Sequence, residues 1–388
     1  MALDMLLRLV ALFSPISISI TQILYGVIVV FLIYSLVKGS YREIAKSPYL
    51  KYFALMAAVL LVTTLLGDDP ARSFKKYKEV LLPLTFLIGY YMCRRSLLYG
   101  VIFWTIAGGA IASIWGEIRY LLHESLGGPD DRSAGFFASP VSFGNIMALV
   151  VILGVSVLIL RQYRSTRERN IYIIMTAISF MGLGTSSTRG AMIACMAGII
   201  VGLLLVFRLY GIVMSIMLTG FAIALVMAIP ELKVRFSDAI LRWNDPTTSL
   251  GWRFVLWKES WQVFLSEPLT GVGFANLNQH FIAALPVKHQ SVAHAHNNIL
   301  QILAEHGIIG FIAVTALHLR LFIDQLVGTI RKNGFALMGL LLTVVFFVEG
   351  ITEYSMFDSE ICMLYWFIAG GLLAAQHSNM REYVQSKG

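Results

Sequence analysis

Residues 190–229 read GAMIACMAGIIVGLLLVFRLYGIVMSIMLTGFAIALVMAI, two long apolar runs separated by a single charged residue, Arg208. A helix needs about 20 mostly apolar residues to cross roughly 30 Å of hydrocarbon. Lipid offers no partner to backbone N–H and C=O groups, so a run of this kind crosses the membrane as a helix. The stretch therefore predicts two membrane-spanning helices, with a reversal of the chain at Arg208.

Similar apolar runs recur along the 388 residues, of which 57% are hydrophobic and only 13% are charged. In soluble domains about a quarter of the residues are charged, so this composition favours lipid as the main solvent. The composition and the runs predict an all-α polytopic membrane protein, with residues 1–388 forming a single membrane domain. We count about twelve spans, near residues 5–18, 20–37, 49–66, 80–93, 97–118, 142–160, 171–186, 190–207, 211–229, 298–317, 335–352 and 361–376.

Lysine and arginine concentrate in the loops on one side of the predicted bundle. Loops rich in these residues stay in the cytoplasm, which places both termini there as well. The net charge of +8 is therefore mainly a topology signal, and no nucleic-acid partner is predicted. The basic residues of this side are Lys38, Arg42, Lys46, Lys51, Arg94, Arg95, Arg161, Arg164, Arg167, Arg169, Arg208, Arg320, Arg331, Lys332, Arg381 and Lys387.

The longest polar segment, residues 231–297, lies on the opposite, extracytoplasmic side, between the predicted ninth and tenth spans. Within it, residues 252–265 have the pattern of a helix and contain three tryptophans. Tryptophan beside a membrane span is typical of a helix that lies in the interface. We expect a long loop with amphipathic helices, facing the same compartment as the segments 123–141, 185–189 and 353–360.

Four of the eight histidines lie in this loop, at positions 280, 289, 294 and 296. One interpretation is a solvated loop that happens to be rich in histidine. A second is zinc, but alternate residues point to opposite sides of an extended chain, and no Cys, Asp or Glu lies close in sequence. The spacing of His294 and His296 therefore disfavours a metal site. The three cysteines, Cys93, Cys195 and Cys362, fall in or beside apolar spans and indicate neither a zinc site nor disulfides.

A third interpretation makes His296 a general base. It precedes Asn297 and Asn298, either of which could cap the helix that follows. A histidine that titrates near neutral pH is a suitable acceptor for the proton of an attacking hydroxyl.

Two arginines are candidates for binding an anion. Arg189 opens a predicted span, where free helix N–H groups attract negative charge, although an interfacial arginine can also simply extend to the headgroups. Arg253 shares a helix face with Trp257 and Trp261, so its guanidinium is expected to bind an anion or to stack on a ring.

Several acidic residues accompany the predicted outer ends of the spans. Glu305, with His306, lies inside a span, where a carboxylate has a functional or a packing role. Four further acids, Glu349, Glu353, Asp358 and Glu360, could orient a base or bind a sugar.

Two arginines and one histidine beside a membrane suit the transfer of a group from a lipid-linked diphosphate. The arginines would stabilise developing phosphate charge, while the histidine removes the acceptor's proton. A transporter would instead show internal repeats or broken helices with charges at the midplane. A scaffolding protein would leave this combination of residues unexplained.

Four stretches together resemble the bacterial O-antigen ligase family, which also includes O-antigen polymerases and teichuronic-acid synthesis proteins. The resemblance is specific over roughly residues 181–310, and Arg132-Ser-Ala-Gly135-Phe136 adds to it. The stretches are Thr188-Arg189-Gly190, the tryptophan-rich helix with Arg253, Pro268-x-x-Gly271-x-Gly273-Phe274, and His294-Ala-His296-Asn297-Asn298 continuing through Glu305-His-Gly307 to Gly310.

The resemblance implies an inverting glycosyltransferase that moves O-antigen polysaccharide from undecaprenyl diphosphate to a sugar hydroxyl of lipid A–core. The reaction would occur at the periplasmic face of the bacterial inner membrane, among membrane lipids, without metal, ATP or another cofactor. A polymerase of the same family, or a transporter of lipid-linked glycan, is the alternative. The implied catalytic residues are His296, Arg189 and Arg253. The residues expected to contact substrate are His294 (also the alternative base), Trp252, Trp257, Arg132, Asn297 and Asp358.

Overall fold

The computed structural model describes residues 2–38, 47–92, 95–125, 132–284 and 294–385. Every regular element in these ranges is helical, which confirms the predicted all-α class. A 3-10 helix, Tyr77–Leu84, lies between the fourth and fifth α-helices. The α-helices are α1 (Ala2–Phe13), α2 (Ile18–Val37), α3 (Pro48–Leu65), α4 (Pro70–Lys76), α5 (Thr85–Met92), α6 (Arg95–Ser125), α7 (Pro140–Ile159), α8 (Thr166–Thr185), α9 (Arg189–Phe207), α10 (Leu209–Ala228), α11 (Pro230–Leu241), α12 (Ser249–Ser266), α13 (Leu277–Ala284), α14 (Asn298–Ile330), α15 (Gly334–Glu349) and α16 (Ser359–Gln385).

Eight of the described helices are long and apolar enough to cross a membrane, which confirms a polytopic membrane protein. Their apolar segments are Ile18–Ser35, Pro48–Leu65, Leu97–Leu122, Pro140–Ile159, Arg189–Phe207, Leu209–Ala228, Asn298–Ile330 and Ser359–Ser378.

The other four of the twelve predicted spans form helices that are shorter or more polar than these eight. The run at 5–18 overlaps the 12-residue α1, and the run at 335–352 overlaps the 16-residue α15. The run at 80–93 is divided between the 3-10 helix and α5, with Pro83 inside the first. The run at 171–186 belongs to α8, whose first turn is charged. By length and composition alone these four fall outside the set of eight, and their crossing of the membrane stays a prediction.

Capping side chains fix where several helices begin. Ser47 and Ser139 each accept a hydrogen bond from a first-turn N–H of α3 and α7, and a proline follows each of them. Serine at the cap and proline at the first helical position satisfy or remove donors that the helix leaves unpaired. The cap of α12 is Thr248, whose hydroxyl accepts from the N–H of Gly251 at 3.1 Å.

The interior of the bundle is formed by α7 and α16, while α2 and α10 lie at its surface. In the spans of α7 and α16, 78% and 83% of the residues are buried. The corresponding shares are 22% in α2 and 11% in α10. The exposed side chains of α10 include Ile216, Met217 and Phe221. A helix with an apolar exposed face is suited to contact with lipid, which is itself apolar.

The polar segments that were predicted to face one compartment meet at one end of the bundle. The N–H of Ser133 donates to the carbonyl of Thr185 at 3.0 Å. The N–H of Asp68 donates to the carbonyl of Val272 at 2.9 Å. The 231–297 segment contains α11, α12 and α13. The predicted helix at 252–265 is thereby confirmed as α12, and His289 lies outside the described residues.

Candidate active site

Helix α14 is broken at Gly307, whose φ of 59° and ψ of −166° are not helical. A break leaves backbone groups without helical partners, and hydrocarbon supplies none. Residues 268–273, which follow α12, pack against the break and supply these partners. Their backbone bonds are Val272 N to Ala304 O (3.0 Å), Gly273 N to Glu305 O (2.8 Å), and Ile308 N to Pro268 O (2.9 Å).

Glycine is required on both sides of this contact. A Cβ on Gly271 would lie 2.4 Å from the backbone carbon of Glu305, and one on Gly307 would lie 2.3 Å from that of Leu269. Both glycines also have positive φ, which only glycine adopts without cost. The Pro268-x-x-Gly271 motif and Gly307 are therefore two halves of one backbone junction, which fixes the end of α12 against α14.

The turn before α14 is anchored to the segment that follows α15. Asn297 caps α14, because its Oδ1 accepts from the N–H of Leu300 at 2.9 Å, and its Nδ2 donates to the carbonyl of Ile351 at 2.9 Å. The Asn298 amide bonds to the hydroxyl and the N–H of Ser355 at 3.1 and 2.9 Å. Two asparagines thus hold the histidine turn beside residues 351–355.

Glu353 stands at the centre of the resulting cluster. Its Oε1 lies 2.5 Å from Nδ1 of His296, and its Oε2 accepts from Nη2 of Arg253 at 3.2 Å. Nδ1 of His294 is 3.8 Å from the same Oε1. Arg253 also donates from Nε to the carbonyl of Thr352 at 2.9 Å, and Trp257 donates from Nε1 to the carbonyl of His296 at 3.3 Å.

These contacts set the charges of the cluster. Burial alone would raise the pKa of Glu353, but the hydrogen bond from His296 and the charges of His296, His294 and Arg253 outweigh it and lower the pKa to about 2. Burial, assisted by the charges of His296 and Arg253, lowers the pKa of His294 to about 4. At neutral pH Glu353 is therefore ionised, whereas His294 carries no charge.

The two histidines consequently have different hydrogen-bonding states. A carboxylate only accepts hydrogen bonds, so Glu353 holds the proton of His296 on Nδ1 and leaves Nε2 with a lone pair. Among the described residues, Nε2 of His296 has no hydrogen-bond partner. His294 uses Nδ1 to accept from the backbone N–H of His296 at 3.3 Å. The arrangement resembles the carboxylate–histidine pair that prepares a general base.

The two arginines converge on Ser249 at the start of α12. Arg189 donates from Nη2 to the Ser249 hydroxyl at 2.5 Å, and Arg253 donates from Nη1 to its carbonyl at 3.2 Å. Arg189 is also the first residue of α9, where Thr188 makes no side-chain capping bond. Two guanidinium groups beside uncapped helix N–H groups form a region suited to a phosphate or diphosphate.

The sequence from α8 to the middle of α14 matches a known family. Residues 174–315 match the family model described as O-antigen ligase. This range contains Arg189, Arg253, His294 and His296. The chain carries an O-antigen ligase family domain. No curated protein matches the chain.

Glu353 lies outside the matched range of the O-antigen ligase family domain. It is 57 residues from His296 along the chain, and sequence alone does not distinguish it from the three neighbouring acids Glu349, Asp358 and Glu360. The aspartate expected from the resemblance, Asp358, instead caps α16, accepting from the N–H groups of Glu360 and Ile361 at 3.1 and 3.2 Å. Its contact with substrate stays a prediction.

Other residues predicted to contact substrate brace the site or pack beside it, and their contact with substrate stays a prediction. Arg132 donates to the carbonyl of Ser186 at 2.9 Å and to the hydroxyl of Thr188 at 3.0 Å, so it braces the loop that carries Arg189. Trp252 packs against the small apolar cluster beneath α12. His280 pairs with Asp68 at 2.7 Å and is not part of the Glu353 cluster.

The geometric argument against a metal site was wrong. The rings of His294 and His296 are 4.2 Å apart, because His296 has a φ of 49° and the chain turns instead of extending. Together with Glu353 they place three ligand atoms within 4.8 Å of one another. A cation there would compete with the Arg253 guanidinium, which already neutralises the same carboxylate.

Proposed function

We propose that this protein transfers O-antigen polysaccharide from undecaprenyl diphosphate to a sugar hydroxyl of lipid A–core, at the periplasmic face of the inner membrane. The observation that carries the proposal is the Glu353-bound imidazole of His296, held in one cluster with Arg253. Ser249 connects that cluster to Arg189. A base and two cations at the polar end of a membrane bundle match a lipid-borne diphosphate donor and a hydroxyl acceptor.

The chemical step uses the groups in these positions. Nε2 of His296 removes the proton from the acceptor hydroxyl, and the hydroxyl oxygen attacks the sugar carbon bonded to the diphosphate. The bond from that carbon to the diphosphate oxygen breaks, and undecaprenyl diphosphate leaves with the electron pair. Arg189 and Arg253 stabilise the charge that develops on the leaving group. Attack opposite the leaving group inverts the sugar carbon.

His296 suits the base better than His294 does. The Glu353 carboxylate stabilises the imidazolium that forms when His296 takes a proton. His294 makes no hydrogen bond with that carboxylate, since its Nδ1 is 3.8 Å away and already accepts from a backbone N–H. With its pKa lowered to about 4, His294 is also a weak base at neutral pH.

Transport is the second candidate, because α14 is broken beside the buried Glu305 and His306. Broken helices with polar groups at membrane depth occur in transporters. Here, however, the free backbone groups at the break bond to residues 268–273. This pairing favours a structural role for the break.

A reconstituted reaction tests the proposal. Purified protein in detergent receives undecaprenyl-diphosphate-linked O-antigen and rough lipopolysaccharide, which is lipid A–core without O-antigen, in the presence of a chelator. We expect a ladder of extended lipopolysaccharide from the wild type and none from His296→Ala. His280→Ala is the matched control, since His280 lies outside the cluster, and it should keep the wild-type ladder.

Transfer without a membrane gradient would decide against transport, and a full ladder from His296→Ala would contradict the assigned base. Loss of activity in chelator would contradict metal independence. In cells, removal of a ligase leaves bare core while lipid-linked polymer accumulates, whereas removal of a polymerase leaves core with one repeat unit.

A further inference from the structure

A polar pocket lies directly beside the candidate active site. It has a volume of about 230 Å³, and its polar lining includes Lys76, Glu79, His294, Glu305, Tyr354 and Asp358. The lining comes from four separate segments of the chain, so it exists only in the folded protein. Its volume lies below the ~300–1,000 Å³ typical of pockets for drug-sized ligands, which suits a single sugar ring.

One buried oxygen in the lining lacks a hydrogen-bond partner. Glu305 is only 1% exposed; its carboxyl group receives hydrogen bonds from Gln301 and from the backbone of Ala275 and Leu277, but its Oε1 makes none with any described residue. Buried polar atoms in folded proteins nearly always have a partner, because an unpaired one loses its hydration without compensation. A ligand that donates a hydrogen bond inside the pocket would supply the partner of Glu305.

The charge of the pocket contrasts with that of the arginine region. Three carboxyl groups face one ammonium group in the pocket, whereas two guanidinium groups meet at Ser249. A phosphate is therefore favoured at Ser249 and disfavoured in the pocket. Burial raises the pKa of Glu79 and of Asp358, so these groups retain protons more readily than exposed acids. A protonated carboxyl group can both donate to and accept from a sugar hydroxyl, whereas an ionised one only accepts.

The pocket is also connected to the base. His294 belongs to its lining, and the His294 ring is 4.2 Å from the ring of His296. The ring of Tyr354 is centred 5.6 Å from that of His294 and tilted against it, and it joins Phe274 and Phe357 as an aromatic wall. An aromatic wall next to hydrogen-bonding groups provides the apolar and polar surfaces that a sugar ring presents.

We infer that this pocket binds the acceptor sugar, whose hydroxyl is then presented to His296 from the side opposite the arginines. This inference rests on the proposed function and adds to it a physical division of the site into a cationic donor side and an acidic acceptor side. The sugar ring in the pocket is neutral or carries an amino group; a phosphorylated ring does not suit it.

Steady-state kinetics with two variants test the inference. Glu305→Gln and Tyr354→Phe each remove one polar function of the pocket at nearly constant size. Loss of a hydrogen bond to the acceptor sugar is expected to raise the KM for rough lipopolysaccharide about tenfold in Glu305→Gln, and by a smaller factor in Tyr354→Phe. The KM for the undecaprenyl-diphosphate donor should stay unchanged in both.

Glu267→Gln is the matched control, because Glu267 is exposed and outside the pocket, and both KM values should equal those of the wild type. Size-exclusion profiles and melting temperatures verify that each variant is folded. A raised donor KM, or an unchanged acceptor KM in both folded variants, would overturn the inference.

The failure of the proposed function would have a different signature, which is the absence of transfer by the wild type. In that case, direct binding of rough lipopolysaccharide to the wild type and to both variants decides about the pocket. At least tenfold weaker binding by Glu305→Gln supports an acceptor pocket, and equal binding by all three proteins contradicts it.

Discussion

His296 combines a functional side chain with a backbone conformation that is uncommon for histidine. Its φ of 49° lies in the left-handed region, which costs a residue other than glycine about 1–3 kcal/mol. Such a conformation persists only where surrounding contacts fix it. Here Glu353 holds the ring, Trp257 holds the carbonyl, and Asn297 caps the helix that follows. The left-handed conformation therefore lowers local stability, while the contacts around it fix the position of the His296 imidazole.

Removing the charge of Glu353 is expected to slow the reaction more than it disturbs the fold. In Glu353→Gln the side chain keeps its shape, but a neutral amide cannot stabilise an imidazolium. Since general-base catalysis contributes roughly 10²–10⁴-fold, we expect kcat to fall within that range. Single-turnover transfer measures it, with Glu267→Gln as the control, and a variant with wild-type kcat would exclude Glu353 from the mechanism.

The same variant should reveal a pH-dependent contribution to stability. Since the pKa of Glu353 is lowered from 4.5 to about 2 in the fold, its carboxylate stabilises the protein above pH 4.5. That contribution is lost as the pH falls through the folded pKa. The difference in melting temperature between the wild type and Glu353→Gln should be largest near pH 7 and should shrink from pH 4.5 down to pH 3. A constant difference over this range would show that folding does not lower the pKa of Glu353.

Among the elements, the junction between residues 268–273 and α14 positions the site. It replaces helical hydrogen bonds with bonds from a loop, so α14 changes direction at Gly307 while its backbone stays paired. The N-terminal part of α14 carries Asn297 and Asn298, which anchor the segment containing Glu353. An error at the junction would therefore be transmitted to the base.

Alanine at the junction is expected to be strongly destabilising. In Gly271→Ala or Gly307→Ala the new methyl group would lie under 2.5 Å from backbone atoms and would require a positive φ. We expect a loss of more than about 2 kcal/mol, from strain and broken backbone bonds. Melting temperatures and yields of purified protein in detergent measure the effect.

Gly220→Ala is the control for this pair. Gly220 lies in α10 with no atom within 4 Å of the added methyl group, and alanine is the better helix former. This variant should be neutral or slightly stabilising. Wild-type melting of either junction variant would mean that the loop and the helix break are not tightly joined.

On the scale of the whole molecule, the candidate site and most of the predicted basic loops lie at opposite ends of the bundle, although the basic helix α4, with Lys76, lies at the end of the site. The candidate site collects residues from α9, α12, the turn before α14 and the segment after α15. The other end contains basic loops, such as the one where Tyr99 donates to Gln162 at 3.1 Å. The arrangement agrees with transfer on one side of the membrane while the basic loops remain on the other.

Cysteine labelling in intact cells tests this orientation. Because basic loops stay in the cytoplasm, Glu267→Cys should react with a membrane-impermeant maleimide from outside, whereas Arg164→Cys should react only after the inner membrane is opened. Both positions are exposed. The wild-type protein gives the background of the three native cysteines, of which Cys195 and Cys362 are buried. The reverse pattern would place the candidate site in the cytoplasm.

Local patterns were sufficient for the helical class, for eight of the spans and for the helix that carries Arg253. Each depends on apolar residues close together in the chain, so neighbouring residues determine them. The resemblance, which depends on motifs of a few residues, selected Arg189, Arg253 and His296 without the structure. The other four predicted spans form shorter or more polar helices, with Pro83 inside one of them and α15 ending at Glu349, and their crossing stays a prediction.

Only the tertiary structure decided how these residues are joined. Glu353 is 57 residues from His296 and 100 from Arg253, so no local pattern connects the acid to its partners. The left-handed turn at His296 places its ring beside that of His294, although the spacing of the two residues predicts opposite sides of the chain. The junction at Gly307 bonds the backbone of residues 268–273 to that of α14. The sequence by itself determined which segments enter the membrane, because transfer into lipid depends on local composition. The candidate base, its carboxylate partner and the acidic pocket depend on contacts between distant segments, which exist only after the helices pack.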